Sequence, residues 1–201
     1  MKPIALLFLI VATAFAEDAW KPLFDGRTLG GWRDTAFRGQ GRVTVEDGAM
    51  VLHAGAPLTG VNYTGTLPSG AYEIRYEAKK MGGGDFFASL TTPFGDSAFT
   101  FVTGGWGGDI VGVSSIDGWD ASDNETRTYF EFESERWYRF RIAVSRDRIQ
   151  AWIDDKQVVN VNVAGRNVGM RKGAGELSAP MGFASYNTSG AIRKVEWRPL
   201  R

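Results

Sequence analysis

Short runs of alternating apolar and polar residues, punctuated by glycine, set the strongest limit on what this chain can fold into. Tyr72, Ile74, Tyr76 and Ala78 alternate with Glu73, Arg75, Glu77 and Lys79. Successive side chains of a strand face opposite ways, so this pattern gives one apolar and one charged face, as in a half-buried antiparallel strand. Tyr138, Phe140, Ile142 and Val144 repeat it, with Arg139, Arg141 and Ala143 between them. Two hairpins are readable: Val43–Val45 and Met50–His53 flank an Asp47-Gly48 turn, and Arg148–Ile153 and Gln157–Val163 flank Asp154–Lys156. Asp85–Thr92, Ala98–Thr103, Asp109–Ile116, Phe183–Tyr186 and Ala191–Trp197 read as further strands. No 12-residue window keeps a helical period. About ten to twelve short strands joined by turns predict an all-β sandwich or barrel. Glycine supplies 26 of the 201 residues, in keeping with many turns.

Composition removes several functions. Lys+Arg and Asp+Glu are both 23, so the basic excess that a nucleic-acid partner requires is missing. With no cysteine there are no disulfides, thiolate metal sites or Cys nucleophiles. The single histidine, His53, rules out a multi-His zinc site, and no G-x-S-x-G elbow accompanies it. Met1-Lys2, the apolar run Pro3–Phe15 and the Ala14-Phe15-Ala16 pattern predict a signal peptide over residues 1–16. Residues 17–201 are then one secreted or periplasmic domain with no membrane span, since no other apolar run approaches 18 residues.

The segment Trp20-Lys-Pro-Leu-Phe-Asp-Gly-Arg-Thr-Leu-Gly-Gly-Trp32 resembles the N-terminal signature of the 3-keto-disaccharide hydrolase domain family, W-x-x-L-F-[DN]-G-[KR]-[ST]-L-x-G-W. The hairpin around Asp47-Gly48, the strand Glu135–Ile142 and the hairpin Ile149–Val159 resemble later elements of that family. The resemblance spans residues 20–198. It implies a concanavalin A-like jelly roll of two antiparallel sheets that acts on, or binds, carbohydrate. It implies a substrate whose C3 ketone acidifies the neighbouring C–H, so that a base removes the proton, the aglycone leaves and water adds. Such a site needs a carboxylate or Tyr base and a group that polarises the ketone. Two strands depart from the family pattern. Gly83–Ser89 lacks its Asn and Arg, and Gly112–Asp117 keeps only Asp117, so no family site residue is carried over from the rest of either strand.

Sugar recognition takes an aromatic face and a few polar groups in a hollow. Gly104–Asp109 offers Trp106 and Asp109. Asp117–Arg127 packs four acids, an Asn, a Trp and an Arg into one loop. We take Asp117, Glu125 and Arg127 as candidate catalytic residues, and Trp106, Asp109, Trp119, Asp120 and Asn124 as candidate substrate-binding residues. Asp117, Asp120 and Asp123 are the candidate ligands of a divalent cation such as calcium. His53 is a weaker candidate base on a strand. Glu131, Glu133 and Glu135 follow a glucanase-like spacing, but Glu131 and Glu135 would lie about 13 Å apart on a flat strand, too far for retaining chemistry. The basic stretch Gly165–Lys172 reads as a surface loop. Three functions stay open: a hydrolase of 3-keto-glycosides, a non-catalytic carbohydrate-binding module, and a laminin G-like protein-interaction domain.

Overall fold

The computed structural model describes residues 19–200, and the expected signal peptide lies outside them. Fifteen strands follow in chain order: β1 (Lys21–Pro22), β2 (Trp32–Asp34), β3 (Val43–Glu46), β4 (Ala49–Leu52), β5 (Leu58–Tyr63), β6 (Tyr72–Gly83), β7 (Ser89–Phe94), β8 (Ser97–Gly105), β9 (Ile110–Ser114), β10 (Thr128–Tyr129), β11 (Tyr138–Val144), β12 (Arg148–Ile153), β13 (Lys156–Asn162), β14 (Gly182–Tyr186) and β15 (Thr188–Pro199). One five-residue 3-10 turn, Ala174–Ser178, is the helical element among the described residues. The order β13–β12–β11–β6–β15–β4–β3, with β1 beside β15, makes an eight-stranded sheet; β10–β9–β8–β7–β14–β5–β2 makes a seven-stranded one. All pairings are antiparallel. Of the two architectures the sequence allowed, the chain forms the sandwich.

The alternation read from β6 and β11 builds the core. Tyr76 lies opposite Phe140 and Ile74 opposite Ile142, and the first pair stacks at 4.9 Å. Phe183, from the seven-stranded sheet, meets Tyr76 edge-on at 4.9 Å and ties the two layers together. Leu90, Phe99, Phe101, Val111 and Val113 complete the seven-stranded sheet's inner face.

The outer face of the eight-stranded sheet carries the charges of the same alternation, paired with one another. Glu73, whose side chain is 6% exposed, accepts hydrogen bonds from Arg141 at 2.7 Å and Arg198 at 2.9 Å. Arg141 lies over the Trp152 ring at 3.5 Å and Arg193 over Trp137 at 3.9 Å, so these tryptophans pack beneath guanidinium planes. Glu73→Gln leaves both arginines without their acid. Arg141 is 40% exposed, so water repays part of the loss, and the expected cost is about 2 kcal/mol rather than the 3–5 kcal/mol of a fully buried pair. Urea unfolding measures it; a change below about 0.5 kcal/mol would show the triad to be a surface ornament.

Candidate functional site

Strand parity places the site. In the seven-stranded sheet Leu90, Phe101 and Val113 point into the core, so Ser89, Thr100, Val102 and Ser114 face outward. These short side chains floor a hollow of about 490 Å³, within the range of about 300–1,000 Å³ common for small-ligand sites. Leu58 of β5 and Tyr186 of β14 extend the floor, and Met170, Arg171 and Lys172 of the loop after β13 overhang it. Asp85, Phe86 and Trp106 form a further wall, and Ala174 and Gly175 complete the lining.

Asp85 lies in the bend before β7. Its carboxylate accepts the backbone N–H groups of Phe86 at 2.8 Å and Gly107 at 3.3 Å. Among the described residues no lysine or arginine pairs with it, and it is the one carboxylate lining the hollow. The contact to Gly107 joins Asp85 to the turn that carries Trp106. That tryptophan adopts φ 51, an uncommon conformation for a residue with a side chain, and is 38% exposed. Arg171 sits 5.6 Å from its ring centroid and pairs with Asp120 at 3.1 Å. Lys172 pairs with no acid among the described residues. Along the floor, Ser114 Oγ accepts the Ala121 N–H, and Thr100 shares a bond with Thr91 at 2.8 Å.

Of the residues singled out in the sequence, Trp106 lines the hollow and Asp120 touches it through Arg171. The others are used elsewhere. Asp117 and Glu125 both grip Arg166, and Asp117 also accepts the Asn167 N–H at 2.9 Å. Arg127 donates to the Ser122 carbonyl. Asn124 donates to the Val113 and Trp119 carbonyls and accepts from Thr126, which braces the loop from within. Trp119 is 63% exposed, outside the lining, and Asp109 is exposed on the β8–β9 turn. The calcium set is not assembled. Asp117 is bound to Arg166, Asp120 to Arg171 and Asp123 to Ser122. No three His, Asp or Glu side chains converge among the described residues, as a hard cation's oxygen shell would require. His53 bonds Thr44 at 3.0 Å and faces Glu46 at 3.5 Å, on the β3–β4 hairpin of the other sheet. Glu133 and Glu135 pair with Arg136 and Lys79.

The loop of acids is therefore a clamp. It holds residues 164–172 against residues 117–125 and so keeps Arg171 over the hollow. The Asn167 N–H, with Arg166, holds the Asp117 carboxyl below its ordinary value of 3.8, and Arg166 holds Glu125 below 4.5. A depressed folded-state value adds stability above the unfolded value that is lost as pH falls through the folded one. Acidification below about pH 4 is thus expected to loosen this clamp and lower the melting temperature. Arg166→Gln should flatten that part of the pH profile; an unchanged profile would contradict the clamp.

A family description, the 3-keto-alpha-glucoside-1,2-lyase-like domain, matches residues 19–201. The chain belongs to this family. Its N-terminal signature is scaffold: Leu23, Phe24 and Trp32 are buried, Trp32 Nε1 donates to the Leu23 carbonyl at 2.8 Å, and Trp20 stacks under Arg75 at 4.1 Å. A search of curated proteins finds no match by sequence. Among solved structures the chain is similar to a Crh5 transglycosylase in complex with NAG, at 13% identity and TM-score 0.62, over 92% of this chain and 85% of that one. It is similar to domain 4 of AbnA, a GH43 extracellular arabinanase from Geobacillus stearothermophilus in complex with arabinotriose, at 17% and 0.57, over 84% and 82%. The carbohydrate-binding module CBM66 from Bacillus subtilis matches at 10% and 0.54, over 84% and 95%. At such identities these likenesses establish the jelly-roll fold alone. No helix among the described residues is long and apolar enough to cross a membrane.

Asp85, Arg171 and Lys172 were not among the residues the sequence suggested. Asp85 reads as the first residue of a strand, and Arg171-Lys172 as part of a basic loop. The one available signal was Gly82-Gly83-Gly84 before Asp85, a run of three glycines that breaks the β6 alternation and turns the chain onto the other sheet.

Proposed function

We propose that the hollow binds a 3-keto-glycoside and eliminates its aglycone, with Asp85 as the base. One observation carries this reading: a single carboxylate, paired with no lysine or arginine among the described residues, shares the hollow with Arg171 and Lys172. Direct glycoside hydrolysis in its usual form takes two carboxylates across the scissile bond, and the lining supplies one. Elimination from a ketosugar takes one base and a positive group at the ketone. Asp85 removes the C2 proton, and the electron pair moves toward C3, where Arg171 or Lys172 stabilises the enolate oxygen. The pair then returns to form the C1–C2 double bond as the C1–O bond breaks, and the departing oxygen takes the proton that Asp85 now carries. Water adding across that double bond yields the free 3-keto sugar. The family's description and the carbohydrate-active proteins that share the fold support this assignment. Trp106 supplies the aromatic face for the sugar ring. The chain is exported through residues 1–16, and N-terminal sequencing of the processed protein is expected to begin at Glu17.

Incubation with 3-keto-maltose and with maltose tests the reaction. Release of 3-keto-glucose from the first alone supports elimination. Binding of both without turnover favours the second reading, a carbohydrate-binding module, which the same fold serves in CBM66. Inertness to both removes the saccharide reading.

A further inference from the structure

The lining changes character along the strand order, and this bears on the group attached to the sugar. Over β9, β8 and β7 the hollow is lined by Ser114, Thr100 and Ser89, with Val102 of β8 the one apolar side chain among them. Over β14 and β5 it presents Tyr186 and Leu58, and Phe86 leans in with its ring 5.7 Å from that of Tyr186. These three pack with Phe37 and Ala184 in an apolar cluster separate from the main core. Such a cluster on the outer face of a sheet, half-open to a hollow, has no part in joining the two sheets.

A second hexose in that flank would bring hydroxyls against Leu58 and Phe86, where their lost hydration is not replaced. A flat hydrocarbon ring would bury area there at no such cost and could meet Phe86 and Tyr186 face or edge. Asp85 is the residue before Phe86, so the base stands where the two halves meet. That position suits a C2 proton flanked by the sugar on one side and the C1 substituent on the other.

We infer that the preferred substrates are glycosides with an aromatic aglycone, the sugar lying over β7–β9 and the aglycone over β5–β14. This rests on the elimination reading for its chemistry but on the lining alone for its selectivity. The experiment compares phenyl 3-keto-α-glucoside with 3-keto-maltose as substrates. It also measures the affinities of the unoxidised phenyl α-glucoside and maltose by calorimetry. The expected result is a kcat/KM at least tenfold higher for the phenyl compound, with affinities in the same order. Phe86→Ala should remove roughly tenfold of the phenyl preference, because the phenyl ring loses more contact there than a hexose does. Should that variant not fold, the wild-type ratio decides. Equal or better use of 3-keto-maltose would overturn the inference and leave the elimination reading standing. Tighter binding of phenyl glucoside with no turnover of either keto compound would uphold the apolar flank and remove the elimination. Neither binding nor turnover would remove both.

Discussion

Asp85→Asn is expected to slow release of 3-keto-glucose from 3-keto-maltose about a thousandfold, within the usual contribution of a positioned base. The affinity for the substrate should stay within a few-fold. The amide has the carboxylate's shape, and its oxygen still accepts the Phe86 or Gly107 N–H that fixes the bend. The lost function is proton removal. Asp85 is not ion-paired among the described residues, so the substitution strands no cation, and the melting temperature should hold. A kcat that survives Asp85→Asn would move the base elsewhere or leave the hollow a binding site. Arg171→Gln should act differently. It weakens enolate stabilisation and releases Asp120, so both kcat and KM should suffer.

The largest stability loss is expected from Phe183→Ala, at about 4 kcal/mol. Phe183 is 0% exposed and lies on β14, the strand between β7 and β5. Its ring meets Tyr76 at 4.9 Å and Trp32 at 5.5 Å. Truncation removes the transfer energy of the ring and leaves a cavity between two sheets whose backbones cannot close on it. Because β14 also presents Tyr186 to the hollow, the site should loosen along with the core. Urea unfolding gives the number; a loss below about 1 kcal/mol would mean that the layers can close over the gap.

The strands legible in the sequence were those with one face buried and one charged. β6 and β11 alternate because their outer face meets water and ions, and both appear close to where alternation put them. β5 escaped notice. Leu58-Thr-Gly-Val-Asn-Tyr63 is buried on nearly its whole length, so no alternation marks it, and Gly60 at its centre reads as a breaker. Gly60 is required there: a Cβ would lie 2.7 Å from the Phe183 carbonyl oxygen and 2.7 Å from the Phe37 ring. The bend at Asp85 has the sequence of a strand, because Phe86 and Phe87 follow it with strand-like composition.

The site was less legible for a different reason. Asp117–Arg127 concentrates charge within a few positions, and local density suggested chemistry. Arg166, 49 residues after Asp117 and 41 after Glu125, neutralises two of those acids, a partnership that only the fold reveals. The hollow instead gathers Leu58, Asp85, Trp106, Ser114, Arg171 and Tyr186 from separate segments. None of them is distinguished by its near neighbours, apart from Trp106 among its glycines. Antiparallel pairing brings them together, and parity decides which ones face outward.

The central claim is that the outer face of the seven-stranded sheet receives saccharide. Amide and indole resonance mapping of nitrogen-labelled Asp85→Asn protein, titrated with 3-keto-maltose, tests it most directly. The account predicts saturable shifts at Ser89, Thr100, Ser114 and Arg171 and at the Trp106 indole. Shifts centred instead on Trp137 and Trp152, across the opposite sheet, or none at saturating sugar, would contradict it.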